Sequence, residues 1–200
     1  MKASELLVRC LENEEVEYVF GIPGEEILDI MDSLSRSRIK FVLTRHEQGA
    51  ALMANVYGRL TGKAGVCLST IGPGATNLIT GVANAFLDYS PLVAISGQTA
   101  LDRMYKETHQ CVNVVEMFRP VTKWNTRVEL PETLPELVRK AFKLAQMERQ
   151  VPLISRFLWT YLPQRFMEHR WKSKPQNMQF PAPQASKGQL ISLSKQAIPS

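Results

Sequence analysis

Three observations on this sequence of 200 residues predict an α/β fold, an open doubly wound parallel sheet with helices on both faces. Its short strands are continuously apolar rather than alternating, which marks strands buried on both faces. They alternate with segments of helical periodicity, the arrangement of a parallel sheet covered by helices. Glycine and proline punctuate the strand ends, where each strand turns into the next helix.

From Ala3, the apolar residues Leu6, Leu7, Cys10 and Leu11 recur at helical spacing and predict a first amphipathic helix ending near Glu15. Tyr18-Val19-Phe20 is a short strand stopped by Gly21-Ile22-Pro23-Gly24, and Ile27, Ile30, Met31 and Leu34 make a second helix. Phe41-Val42-Leu43 is the next strand, closed by Thr44-Arg45-His46-Glu47. Ala50, Ala51, Met53, Ala54, Tyr57 and Leu60 form a third helix whose small residues permit close backbone approach. Gly65 to Thr70 is a strand punctuated by Gly72-Pro73-Gly74, after which one helix is expected through Leu78, Ile79, Val82, Ala83 and Phe86. The strand Pro91 to Ile95 follows, then an irregular stretch from Gln98 to Arg119, a strand from Lys123 to Val128, and a strong helix carrying Leu134, Leu137, Val138, Ala141, Phe142 and Ala145. Leu153-Ile154 begins like a final strand that Arg156 interrupts.

These elements divide the chain into a domain over 1–164 and a tail over 165–200. The tail holds four of the twelve prolines and reads as linker, with at best a short helix near Gln189–Lys195. The formal charge of +5 belongs to it: residues 1–164 balance 18 basic against 18 acidic residues, whereas the tail sets six basic residues against Glu168 alone. A basic nucleic-acid face on the body is thereby disfavoured, and basic runs of this kind are usually just solvated. Neither a nucleic acid nor a membrane is expected as partner. Cys10, Cys67 and Cys111 are far apart and form no zinc or disulfide framework, which suits a reducing compartment. The charged amino terminus is no signal peptide and no apolar run reaches membrane-spanning length, so a cytoplasmic protein is expected.

In a doubly wound sheet, ligands bind beyond the carboxyl ends of the strands. Gly21–Glu26, Thr44–Gln48 and Thr70–Asn77 lie there. The first approaches a dinucleotide fingerprint but lacks its third glycine, and Glu25 and Glu26 stand where a pyrophosphate would sit. No G-K-[ST] supports a phosphate loop, and no metal-ligand cluster or Ser/His/Asp set stands out. Glu47 leaves a buried strand and enters a closely packed helix, so its carboxyl group is placed in a crevice. A carboxylate in a helix first turn is also worth a few tenths to about 1 kcal/mol of stability, and position alone supports both roles. Gly72–Asn77 reads equally as a strand-to-helix turn. His46, His109 and His169 are isolated.

Phe20-Gly21-Ile22-Pro23-Gly24-Glu25, Thr44–Ala50, Tyr57–Lys63 and Gly72-Pro73-Gly74-Ala75-Thr76-Asn77 closely resemble the amino-terminal, pyrimidine-binding domain of thiamine-diphosphate enzymes, in the branch of acetolactate synthase. Val114–Lys123 extends the resemblance, which covers roughly residues 1–150 in register. It implies that Glu47 hydrogen-bonds N1′ of the cofactor's aminopyrimidine, where proton exchange activates the thiazolium C2–H for 2-keto acid decarboxylation and carboligation. It implies that Gly72, Pro73 and Asn77 lie against the pyrimidine, that Gly24 lies near the active-site mouth, and that Gln110, with His109 before it, faces the substrate. Cys111 and Asn113 stand where acidic residues are common in the family, which leaves the substrate open among 2-keto acids and oxalyl-CoA.

The family binds the diphosphate and Mg²⁺ through a separate domain carrying a Gly-Asp-Gly motif, and this sequence has neither that motif nor a central domain. FAD, used by some relatives, is housed mostly outside this region. The resemblance therefore implies one domain of an oligomeric enzyme, with weak cofactor binding and no turnover by itself, completed by a metal-binding domain in trans. Leu162-Pro163-Gln164-Arg165 departs from the family's Leu-Pro-x-Asp turn, and Ser155–Tyr161 departs from its last strand, so a local reading-frame disturbance is one reading of that stretch. A non-catalytic module that pairs with full-length subunits is the alternative from another class.

Overall fold

Six strands form one parallel sheet in the computed structural model, which describes residues 1–99 and 110–147 and the backbone of 153–157. They are β1 (Tyr18–Gly21), β2 (Lys40–Leu43), β3 (Gly65–Ser69), β4 (Leu92–Ser96), β5 (Trp124–Val128) and β6 (Leu153–Phe157). Their spatial order is β2-β1-β3-β4-β6-β5, with every neighbouring pair parallel. The chain runs outward from β1 to β2 and returns to β3 on the other side of β1. That reversal opens a crevice at the carboxyl ends of β1 and β3. The described residues all fall within one unit, Met1–Met167. The proposed boundary at 164 and the tail 165–200 lie outside the described residues.

Helices α1 (Ala3–Asn13), α2 (Leu28–Ser35) and α7 (Leu134–Gln146) cover one face of the sheet, where Leu7, Leu11, Ile30, Val138 and Phe142 pack on Val66, Leu68, Val93 and Ile95. Helices α3 (Glu47–Thr61), α4 (Pro73–Asn77), α5 (Ile79–Leu87) and α6 (Val114–Phe118) cover the other, where Ala50, Ala51, Ala54, Val82 and Phe118 meet Cys67 and Ala94. The alternation of Val66/Cys67/Leu68 and Val93/Ala94/Ile95 between the two clusters is the strand period of two, with both phases apolar because both faces are covered. Both edges differ from this: β2 is half-exposed, as expected of a strand with one neighbour. Among the described residues, no helix is long and apolar enough to cross a membrane.

The small residues of α3 admit α5. A Cβ placed on Gly81 would lie 2.5 Å from the Ala51 Cβ, so the two helices cross closer than any larger side chain allows.

Four elements differ from the sequence expectation. The helix expected through Leu78 and Phe86 is α5, and the turn expected at Gly72–Asn77 contains a short helix of its own, α4, with Leu78 between the two. The irregular stretch before Arg119 contains α6, whose N-cap Asn113 accepts the Glu116 N–H; five residues are too few for a periodic signal. The second helix begins as a 3₁₀ turn at Glu25–Ile27. Strand β6 runs unbroken through Arg156, paired to β4 on one side and β5 on the other. Backbone pairing on two sides carries a strand past a charged residue that periodicity counts as a break. It also makes β6 an interior strand and leaves the edges to β2 and β5.

Gly81→Ala is expected to lower unfolding stability by about 1–3 kcal/mol through overpacking, read by chemical denaturation, while exposed Thr80→Ala stays within about 0.5 kcal/mol. Burial pushes the thiols of Cys10 and Cys67 up from 9.0 to about 12, with Glu14 adding to the effect at Cys10. Since the thiolate is the nucleophile, both are expected to resist iodoacetamide near pH 8 until the chain unfolds, as peptide mass mapping would show.

Candidate functional site

The carboxyl ends of β1, β2 and β3 bring three of the sequence-predicted segments together. After β2, Thr44 Oγ1 donates to the His46 carbonyl at 3.1 Å and shapes the turn into α3. His46 then takes the N-cap position, its Nδ1 accepting the Gln48 N–H at 3.1 Å. The isolated histidine is thus a helix cap, and Glu47 beside it is released from that duty.

The half-buried Glu47 side chain turns across to α4. Its Oε2 accepts from Asn77 Nδ2 at 2.9 Å. Its Oε1 faces Gly74, where a Cβ would sit 3.3 Å away. The Asn77 amide orients the carboxyl group.

Helix α4 starts at Gly72-Pro73. Gly72 has φ +52°, in the left-handed region, and a Cβ there would meet the Gln110 carbonyl oxygen at 2.4 Å. Pro73 occupies the first helical turn, where its missing N–H costs nothing, and its ring is exposed. Gln110 is itself left-handed at φ +60° and exposed, so its backbone packs on Gly72 while its side chain is free to face outward. His109 lies outside the described residues.

Thr70 ties the site to β1. A Cβ on Gly24 would lie 2.4 Å from the Thr70 Cβ, and one on Gly74 would lie 2.8 Å from its Cγ2. Thr70 Oγ1 also donates to Glu26 Oε2 at 3.4 Å. Gly24, Glu26, Thr70, Gly72, Gly74, Glu47 and Asn77 therefore form one continuous wall, with Gln110 behind Gly72. Among the described residues, no three His, Cys, Asp or Glu side chains are grouped to hold a metal ion.

Sequence reasoning placed Thr70 at the start of a candidate segment without giving it a role of its own, and assigned nothing to Ser96 or Gln98. Gly97 N–H donates to the Ser69 carbonyl at 3.0 Å, extending the strand by one residue. Ser96 and Gln98 are buried, at 0% and 1% exposure, and the Ser96 hydroxyl and both amide atoms of Gln98 have no hydrogen-bond partner. Polar side chains at the carboxyl end of a strand buried on both faces are the signal that would have drawn attention to them.

Comparison with known proteins gives a consistent answer. Residues 1–117 match the family described as "Thiamine pyrophosphate enzyme, N-terminal TPP binding domain". The acetolactate synthase large subunit of Buchnera aphidicola subsp. Schizaphis graminum is 41% identical over 155 residues, 77% of this chain and 27% of that protein. The acetolactate synthase of Bacillus subtilis is 42% identical over 144 residues, 72% of this chain and 25% of its own length. The catabolic acetolactate synthase of Raoultella terrigena is 45% identical over 146 residues, 73% of this chain and 26% of its own. The chain spans about a quarter of the length of the curated relatives it matches.

Gly72→Ala is expected to destabilise the chain by about 1–3 kcal/mol, from the left-handed backbone and the collision with Gln110. Gly49→Ala, in the first turn of α3 with nothing within 4 Å of its Cβ position, is expected to leave stability unchanged or raise it by a few tenths of a kcal/mol, less than the roughly 1 kcal/mol of a helix interior. Thermal denaturation of the two variants side by side checks the contrast.

Proposed function

Because the chain belongs to the thiamine pyrophosphate enzyme family, we propose that residues 1–164 act as the pyrimidine-binding domain of an acetolactate synthase-like enzyme, with Glu47 as its activating acid. The observation that carries this reading is the Glu47 carboxyl group, held by Asn77 through one oxygen and facing the bare backbone of Gly74 with the other. That set suits an aminopyrimidine. It offers a carboxyl oxygen able to exchange a proton with a ring nitrogen, a backbone shelf where a Cβ would intrude, and an exposed proline ring for the heterocycle's face.

When bound, thiamine diphosphate supplies the electron sink for decarboxylation and carboligation of 2-keto acids. Glu47 would hold a proton at ring nitrogen N1′, and Asn77 would keep the carboxyl group aimed. Gly72 and Pro73 would lie against the ring, with Gly74 beside the Glu47 carboxyl group. Gly24 would border the mouth, and Gln110 and His109 would face the reacting acid. Mg²⁺ and the diphosphate would be held in trans, by a separate domain or another subunit of a homo-oligomer. Residues 165–200 would serve as a linker segment, and the setting would be cytoplasmic.

A second reading, a non-catalytic module pairing with full-length subunits, is favoured by the outer face of α3. Leu52, Met53, Val56 and Leu60 are exposed there, Leu60 at 81%, beside Leu87 of α5 at 74%. Contiguous exposed apolar surface of this kind marks an interaction site.

One experiment separates them. The chain is mixed with a full-length acetolactate synthase whose activating glutamate has been changed to glutamine. The first reading expects acetolactate formation to be restored by this chain and not by its Glu47→Gln variant. Inhibition of an intact synthase without restoration would support the second reading instead, and restoration by both forms would remove Glu47 from its role.

A further inference from the structure

Five buried side-chain atoms among the described residues lack a hydrogen-bond partner, and three of them belong to Ser96 and Gln98. A buried polar atom left unpaired costs about 1–3 kcal/mol, so their concentration at the end of one strand calls for a reason. Their direction follows from the strand register. Cys67 and Ala94 pack with α3, and Val66, Leu68, Val93 and Ile95 with the opposite helices. Ser69 and Ser96 pair in register and continue the α3 phase, and the Ser69 Cβ lies 3.8 Å from the Cβ position of Gly74. Gly97 takes the other phase, against Ile27 and Ile71. β4 ends at Ser96, and the same alternation carried past Gly97, whose N–H still bonds the Ser69 carbonyl, sets Gln98 on the face that carries Glu47, Gly74 and Asn77.

We propose that Gln98 is a substrate-recognition residue, its carboxamide N–H groups donating to the oxygens of a 2-keto acid bound against that wall. This rests on the reading that the wall holds the cofactor's pyrimidine. The chemistry of the group selects the ligand class. Two N–H donors on one nitrogen suit the adjacent carboxylate and keto oxygens of such an acid. A neutral amide also supplies them without forming an ion pair with Glu47, as a lysine would. Shielded from bulk water, each hydrogen bond formed is strengthened by the low local dielectric.

The test uses the 200-residue chain, ¹⁵N-labelled, with Gln98 and Asn77 side-chain amide signals assigned by substitution. Pyruvate is the probe, with thiamine titrated separately. The proposal expects saturable movement of the Gln98 NH₂ signals with pyruvate. It also expects Gln98→Met to weaken the pyruvate response of neighbouring backbone amides about tenfold, the loss of a hydrogen bond to a charged group. The same variant should melt at the same temperature or higher, because an apolar side chain of similar shape replaces an unpaired amide. A clearly lower melting temperature would mean that the amide holds the fold, and would overturn the proposal. So would a pyruvate response unchanged in Gln98→Met, or none at Gln98 in the parent chain. The underlying reading is judged apart: thiamine moving the Asn77 amide while pyruvate leaves Gln98 still overturns only the Gln98 role, whereas an Asn77 signal indifferent to thiamine counts against the cofactor reading itself.

Discussion

The candidate site depends on how closely bare backbone approaches one threonine. Thr70 leaves the end of β3 with Gly24 on one side and Gly74 on the other, both nearer than a Cβ would tolerate. This double contact fixes the turn after β1 relative to α4, and α4 in turn carries Asn77 to the Glu47 carboxyl group. A methyl group at either glycine would collide with Thr70 and push the two loops apart. The hydrogen bond on Glu47 would be the first casualty, since such bonds weaken steeply outside a narrow range of distance and angle.

A division of labour at the start of α3 follows from the same geometry. A helix start needs an acceptor for its orphan N–H groups, and Glu47 stands where a carboxylate would ordinarily serve. His46 takes that task through Nδ1 instead. The glutamate keeps its place at the helix terminus while pointing its oxygens elsewhere. Thr44, Asn77 and His46 are thus the residues that convert a helix-stabilising carboxylate into one presented to a neighbour.

Much of this could be read from the chain alone, and the limits have physical causes. The apolar strands and the helices of three or four turns were legible because burial on both sheet faces writes long uninterrupted patterns. Glu47, Gly72, Pro73 and Asn77 were singled out by the family resemblance of the motifs they stand in, since their position at strand ends supported a plain structural role equally well. Helix α6 was not, since its stability comes from Phe118 in the core and from Asn113 at its cap rather than from periodicity. Strand β6 was misread at Arg156 because pairing between two neighbours acts through the backbone and leaves no mark on side-chain pattern. Gln98 left only a faint mark, a polar residue just past an apolar strand; that its amide is buried without a partner is a fact of three-dimensional packing.

The placement of β6 between β4 and β5 sets a timetable for assembly. Strand β5 has β6 as its single sheet neighbour, yet the ribosome delivers residues 124–128 well before 153–157. Until the later segment emerges, the growing polypeptide holds four paired strands and a fifth with no ladder to join. The final closure is a non-local insertion rather than an edge addition, a slow class of event. During that interval two raw flanks, on β4 and β5, are open to the wrong visitor, so nascent-chain quality control would find its natural target there.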